Sequence, residues 1–259
     1  TQFDITPAGL TGGREDALAF TGYGGNIYGS FAYGVARPDT SRIQPATSWH
    51  LESWGEDLLA CNEDDGKIYQ WELNTGTAAA VLSNAPTSNS GIVVTEERFL
   101  FALGAGGNPR KVQWSDREDN NTWTPAATNE AGDLELNTTG AIIKGVSVKG
   151  QTLILTTRDA HVANYIGPPY VYGIERVGTS CGLAANEACV VVDQGAFWMG
   201  VNSFYAYTGG AVQEMPCDVS DYVFNDINKA QVSKAFGVSN SMFGEIWWCY
   251  PSASSTEND

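Results

Sequence analysis

Positive charge is scarce in this chain. Its 259 residues hold 14 Lys and Arg against 30 Asp and Glu, a formal net charge of −16. Such a surface does not grip nucleic acid, because phosphate contacts need an excess of Lys and Arg. It does suit DNA passing by, since an acidic wall repels the duplex. Charged residues of both signs make up only 17%, against about a quarter in an ordinary globular domain. Histidine is rarer still. His50 and His161 stand far apart with no Cys or carboxylate at ligand spacing around either, so no metal centre is expected. His161 lies in an apolar strand-like run and reads as a hydrogen-bonded structural residue. General-base chemistry is thereby left to carboxylates.

Cysteine pairs of the C-x-x-C kind are missing too. Cys61, Cys181, Cys189, Cys217 and Cys249 are odd in number and irregular in spacing, as buried thiols made in a reducing cytoplasm would be. Cys181 and Cys189 are close enough in sequence to form a disulfide, and nothing requires one. No apolar run approaches the ~18–20 residues of a membrane span. No basic stretch followed by an apolar one opens the chain. A soluble protein is expected, without direct membrane insertion or a secretion signal of its own. P-loop, G-x-S-x-G and dinucleotide-binding patterns are all lacking, and no cofactor is expected.

Glycine (29 residues) and aromatic residues (11%) are abundant. Together they suggest many short strands joined by tight turns, where glycine supplies positive φ. Residues 1–45 stand apart. Their segment 21–34 is nearly a Gly/aromatic tract with no helical period, and it reads as an extended arm whose Tyr23, Tyr28, Phe31 and Tyr33 bury rings against a neighbour. The plainer alternative is a flexible linker.

From Trp49 onward a two-strand unit recurs. It runs through Leu58–Cys61 with Lys67–Trp71, then 99–103 with Lys111–Trp114. Further copies are 152–156 with 160–165, and 196–199 with 203–207; a fifth opens at 245–250 without a second half. Leu59, Phe101, Ile154, Phe197 and Trp247 lie 42, 53, 43 and 50 residues apart. Propeller blades recur every ~40–50 residues, each a four-stranded sheet. A sandwich has short strands too, but no such long-range repeat. The fold class expected is therefore all-β: a β-propeller-like array over 46–259. Its blades fall near 49–90, 91–140, 141–190 and 191–235, with a partial one at 236–259. One short helix is expected within Asp218–Lys229, capped by Asp218, with Val219, Tyr222, Val223 and Ile227 on its apolar face. Both ends look cut from a longer chain. The apolar strand at 246–250 needs a partner, supplied by more chain or by another subunit.

Several stretches resemble proteins of tailed bacteriophage virions. They are 3–10, 13–17, the Gly-Tyr-Gly tract, 49–60, 66–71, Trp114–Pro125 and 246–259. As a combination they are similar to the tail hub or nozzle proteins of short-tailed phages. That resemblance implies a propeller-bearing structural subunit, usually in a six-fold ring of its own copies below the portal and adaptor, lining the DNA exit path. It implies assembly in the host bacterial cytoplasm and residence in the virion tail. It implies no catalytic residues.

The remaining motifs read as structure. Residues 62–66 (Asn-Glu-Asp-Asp-Gly) have oxygen ligands on alternate positions like a calcium loop, but lack the downstream bidentate Glu; a hairpin turn closed by Asp65-Gly66 is the simpler reading. Residues 116–123 resemble the Asp-box of sialidase-type propellers, with Glu118 in the acid position and Asn120 where Gly is usual. That box is a turn brace with a Trp plug, not an active site. The Gly104–Asn108 loop reads as a blade-tip turn. Trp54, Trp71, Trp114, Trp198 and Trp247 suit packing between blades. Trp49, Trp123 and the four arm aromatics are the candidate interface residues. Three functions stay open: a non-enzymatic structural tail protein, a carbohydrate-active or glycan-binding propeller, and a protein-binding module. A carboxylate pair in one pocket would favour the second, and acids spread along a ring lumen the first.

Overall fold

A strand sandwiched between two other sheets buries both faces, so its sequence is an apolar run rather than an alternation. Leu100–Leu103 and 152–156 are buried in this way, and each is the second strand of its sheet. The computed structural model describes residues 12–19, 43–74 and 76–258; Tyr23, Tyr28, Phe31 and Tyr33 lie outside them. Two short strands come first, β1 (Leu18–Ala19) and β2 (Ile43–Gln44), paired antiparallel. Four antiparallel sheets of four strands follow, each a meander in chain order. The first is β3 (Trp49–Trp54), β4 (Asp57–Asn62), β5 (Ile68–Trp71) and β6 (Ala80–Val81). The second is β7 (Gly91–Val94), β8 (Leu100–Leu103), β9 (Lys111–Trp114) and β10 (Gly132–Glu135). The third is β11 (Ile142–Val148), β12 (Gln151–Thr156), β13 (Asp159–Gly167) and β14 (Val171–Thr179). The fourth is β15 (Cys189–Val192), β16 (Gly195–Met199), β17 (Phe204–Tyr207) and β18 (Val212–Met215). A fifth sheet has two strands only, β19 (Phe236–Asn240) and β20 (Glu245–Cys249).

The first strands of successive sheets pack in order: β3 on β7, β7 on β11, β11 on β15 and β15 on β19. This is a β-propeller whose innermost strands surround the axis. Its core lies between blades. Leu59, Ile68, Ile92, Leu100 and Trp123 fill the first interface. Phe99, Phe101, Trp114, Ile154 and Tyr172 fill the second, where Tyr172 meets Phe101 edge-on at 4.8 Å. Leu153, Leu155, Trp198, Phe204 and Tyr207 belong to the third. Polar bonds also cross each seam. Asn120 Nδ2 donates to Gln70 Oε1 at 3.1 Å, Thr95 Oγ1 and Tyr172 Oη share a bond of 2.9 Å, and Tyr207 Oη donates to Gln151 Oε1 at 2.7 Å.

The helix is shorter than expected. It spans α1 (Ser220–Asp226), preceded by Val219 with no side-chain cap, so Asp218 does not cap it. Val223, Phe224 and Ile227 pack on the fourth-blade core, whereas Val219 and Tyr222 are exposed. The buried stripe is rotated relative to the one read from spacing, because Phe224 stacks on Phe204 with ring centres 5.3 Å apart. All five cysteines are free thiols. Burial pushes Cys61 and Cys189 up to about 12 and Cys181 to about 11, so these three stay protonated and unreactive.

The described part of the expected arm docks on the chain's own propeller. Arg14 pairs with Asp64 at 2.5 Å, the Ala17 amide donates to Gln231 Oε1 at 2.9 Å, and Lys234 holds Asp16 at 2.6 Å.

Candidate assembly surface

The fifth sheet stops where the other four continue. β19 and β20 pair with Val238 opposite Trp247 and Phe236 opposite Cys249. Alternate residues of a strand point to opposite faces, and the two faces differ here. One rests on the fourth blade. Gly237 lies so close that a Cβ would come 2.4 Å from Val190 Cγ2, and the Trp248 indole N–H donates to the Ala188 carbonyl at 3.1 Å. The other face carries Phe236, Val238 and Trp247, all exposed, Trp247 by 53%. At the hairpin tip Met242 and Phe243 are more exposed still.

The edge is unusual as well. In blades one to four the second strand is flanked on both sides. Among the described residues no third strand pairs with β20. A groove of 270 Å³ lies between Phe204, Met215, Val223 and Trp248.

The two interface candidates within the described residues, Trp123 and Trp49, fall elsewhere. Trp123 is a correction: only 4% of it is exposed. Its indole N–H donates to the Asn120 carbonyl at 2.8 Å, and the ring fills the seam between blades one and two. Trp49 is half-buried, tied to the Gly12 carbonyl at 3.1 Å and tilted on Tyr69. Trp247, read as inter-blade packing, is the exposed one.

The turn motifs serve structure. In the Asp-box-like segment the bracing acid is Asp119, not Glu118. Asp119 accepts from the Asn121 amide at 2.8 Å and the Thr122 hydroxyl at 2.7 Å, and these bonds hold its carboxyl below the usual range. Glu118 points outward to Arg98 at 3.2 Å. In the 62–66 turn, Gly66 takes φ 61°. Asp65 accepts from the Lys67 amide and the Tyr69 hydroxyl, while Asp64 meets Arg14 and Thr47. Those oxygens are committed to the hairpin and its neighbours. His161 is buried in β13, and burial holds its ring below the usual imidazole range. Its Nε2 lies 3.3 Å from Asp159 Oδ1. No group of three or more His, Cys, Asp or Glu is placed to hold a metal among the described residues.

No family model and no curated protein matches the chain. Solved β-propeller structures do resemble it. The extracellular domain of a hybrid two-component system from B. thetaiotaomicron superposes with a TM-score of 0.51 at 9% identity, over 82% of this chain and 27% of that one. Virginiamycin B lyase from Staphylococcus aureus gives a TM-score of 0.48 at 8% identity, over 78% of this chain and 69% of that one. At such identities the likeness concerns the fold alone.

Proposed function

We propose that this chain is a structural subunit of a short-tailed bacteriophage tail, a hub or nozzle propeller that forms a ring with its own copies. The observation that carries the proposal is the apolar face of the fifth sheet, where Phe236, Val238 and Trp247 are exposed. Surfaces of this kind bind by burying aromatic anchors. A ring follows when such a heterologous contact closes after a fixed rotation. The phage-tail part rests on the sequence resemblance. The net charge of −16 supports a wall that DNA slides along rather than one that holds it.

Cryo-electron microscopy of the purified chain tests this, with sedimentation velocity beside it. A closed ring with Trp247 inside the subunit contact is expected. Trp247→Glu should leave the circular dichroism spectrum unchanged and abolish the ring. A monomer at every concentration that hydrolyses glycans would overturn the proposal.

A further inference from the structure

The first strands of all five sheets start around one end of the axis, and a cavity of 430 Å³ lies there. Its wall takes Ser48 just before β3, Ser90 just before β7, Asn186 shortly before β15 and Ser233 shortly before β19. Equivalent positions of the repeat therefore converge on one space.

Among the described residues, four buried side-chain atoms of this wall have no hydrogen-bond partner: Asn89 Oδ1, Asn186 Oδ1, Ser90 Oγ and Ser233 Oγ. Both asparagines are almost wholly buried, at 2% and 4% exposure. Their amide hydrogens are already used. Asn89 Nδ2 donates to the Gly66 and Pro86 carbonyls at 2.8 and 2.6 Å. Those two partners only accept, so they fix which way the carboxamide points. Asn186 Nδ2 donates to Ser48 Oγ at 2.7 Å and to His50 Nε2 at 2.9 Å. The Glu63 carboxylate, 3.3 Å from His50 Nε2, is part of the same wall.

The space thus presents two acceptor-only oxygens, two hydroxyls and one carboxylate. A buried acceptor left unpaired costs stability, and a ligand rich in donors removes that cost. The rest of the wall is aliphatic, including Pro109, Ile143 and Ala184, with no aromatic ring. Such a lining suits a methylene stem better than a stacked sugar or base. A single carboxylate is too little charge for tight calcium binding. Lys144, next to Ile143, pairs with Glu187 at 3.2 Å and is not part of the wall.

We infer that this axial cavity binds a small aliphatic amine in its ammonium form. The three N–H donors of the ammonium meet Asn89 Oδ1, Asn186 Oδ1 and Glu63, and the stem lies along the aliphatic wall. This site is independent of the ring contact proposed above.

The probe is 1,4-diaminobutane, titrated calorimetrically into the whole chain, with 1,4-butanediol and calcium chloride as comparisons. Saturable 1:1 binding of the diamine is expected, with the diol weaker by about tenfold or more. Glu63→Gln should weaken the diamine by a similar factor. Ala184→Leu fills the cavity and should remove the heat; Glu63→Gln decides the matter if that variant fails to fold. Diffuse attraction to an acidic chain would be unsaturable and insensitive to Glu63→Gln, and would overturn the inference. Equal binding of diol and diamine, or saturable binding of calcium alone, would overturn it too.

Discussion

Trp123 keeps 4% of its surface exposed and lies among Leu59, Ile68, Ile92 and Leu100. Truncating it to alanine empties a seam that two rigid sheets cannot close. Trp123→Ala should lower unfolding stability by about 3–5 kcal/mol in a urea titration. Trp247→Ala, on the exposed face, should cost the isolated chain about 0.5 kcal/mol or less. A reversed ranking would mean that the two rings are misplaced. Their environments were not legible in the sequence. Trp123 follows a polar turn and Trp247 lies within an apolar strand, and burial depends on whether a neighbouring sheet covers the ring.

Glu52 offers a second test at this scale. It sits on innermost strand β3, and burial raises its carboxyl from 4.5 to about 7, against the attraction of Lys144. A carboxyl with a folded pKa above its unfolded value favours the fold while protonated. That contribution is complete below pH 4.5 and is lost as pH rises to about 7. Glu52→Gln should therefore match the parent chain near pH 4 and exceed it in stability near pH 8. Urea titrations at the two pH values measure the gap. No gap at pH 8 would show Glu52 to be solvated.

Elements were legible in proportion to how deeply they are buried. β8 is buried throughout and β12 nearly so, and such strands gave the apolar runs that set the repeat. The outermost strands β6, β10 and β18 are largely solvent-facing. Their sequences carry little apolar signal, so the fourth strand of each blade stayed invisible. The strand starts around the axis were also missed. Asn89 and Asn186 precede first strands, whereas the repeat had been anchored on second and third strands. Among the described residues, β20 has no third-strand partner of the kind that β16 has in β17. In hydrogen exchange of the dissociated chain, alternate β20 amides should exchange far faster than those of β16. They should become protected on assembly. Protection unchanged by assembly would place the ring contact elsewhere.

At the scale of the whole molecule, two forces act on assembly in opposite senses. A net charge of −16 makes identical subunits repel one another over long distances. The half-blade offers Phe236, Val238 and Trp247, an apolar contact that salt hardly weakens. Repulsion reaches about 30 Å at 0.01 M ionic strength but only about 8 Å at 0.15 M. Added salt should thus remove the opposing term and leave the attractive one. Sedimentation velocity at the two ionic strengths should show the ring population rising with salt at fixed protein concentration. The Trp247→Glu chain should stay monomeric in both. The opposite trend, rings that fall apart as salt is added, would mean that ion pairs hold the subunits together. The contact would then lie on the charged surface of the first four blades, and the apolar half-blade would need a different partner.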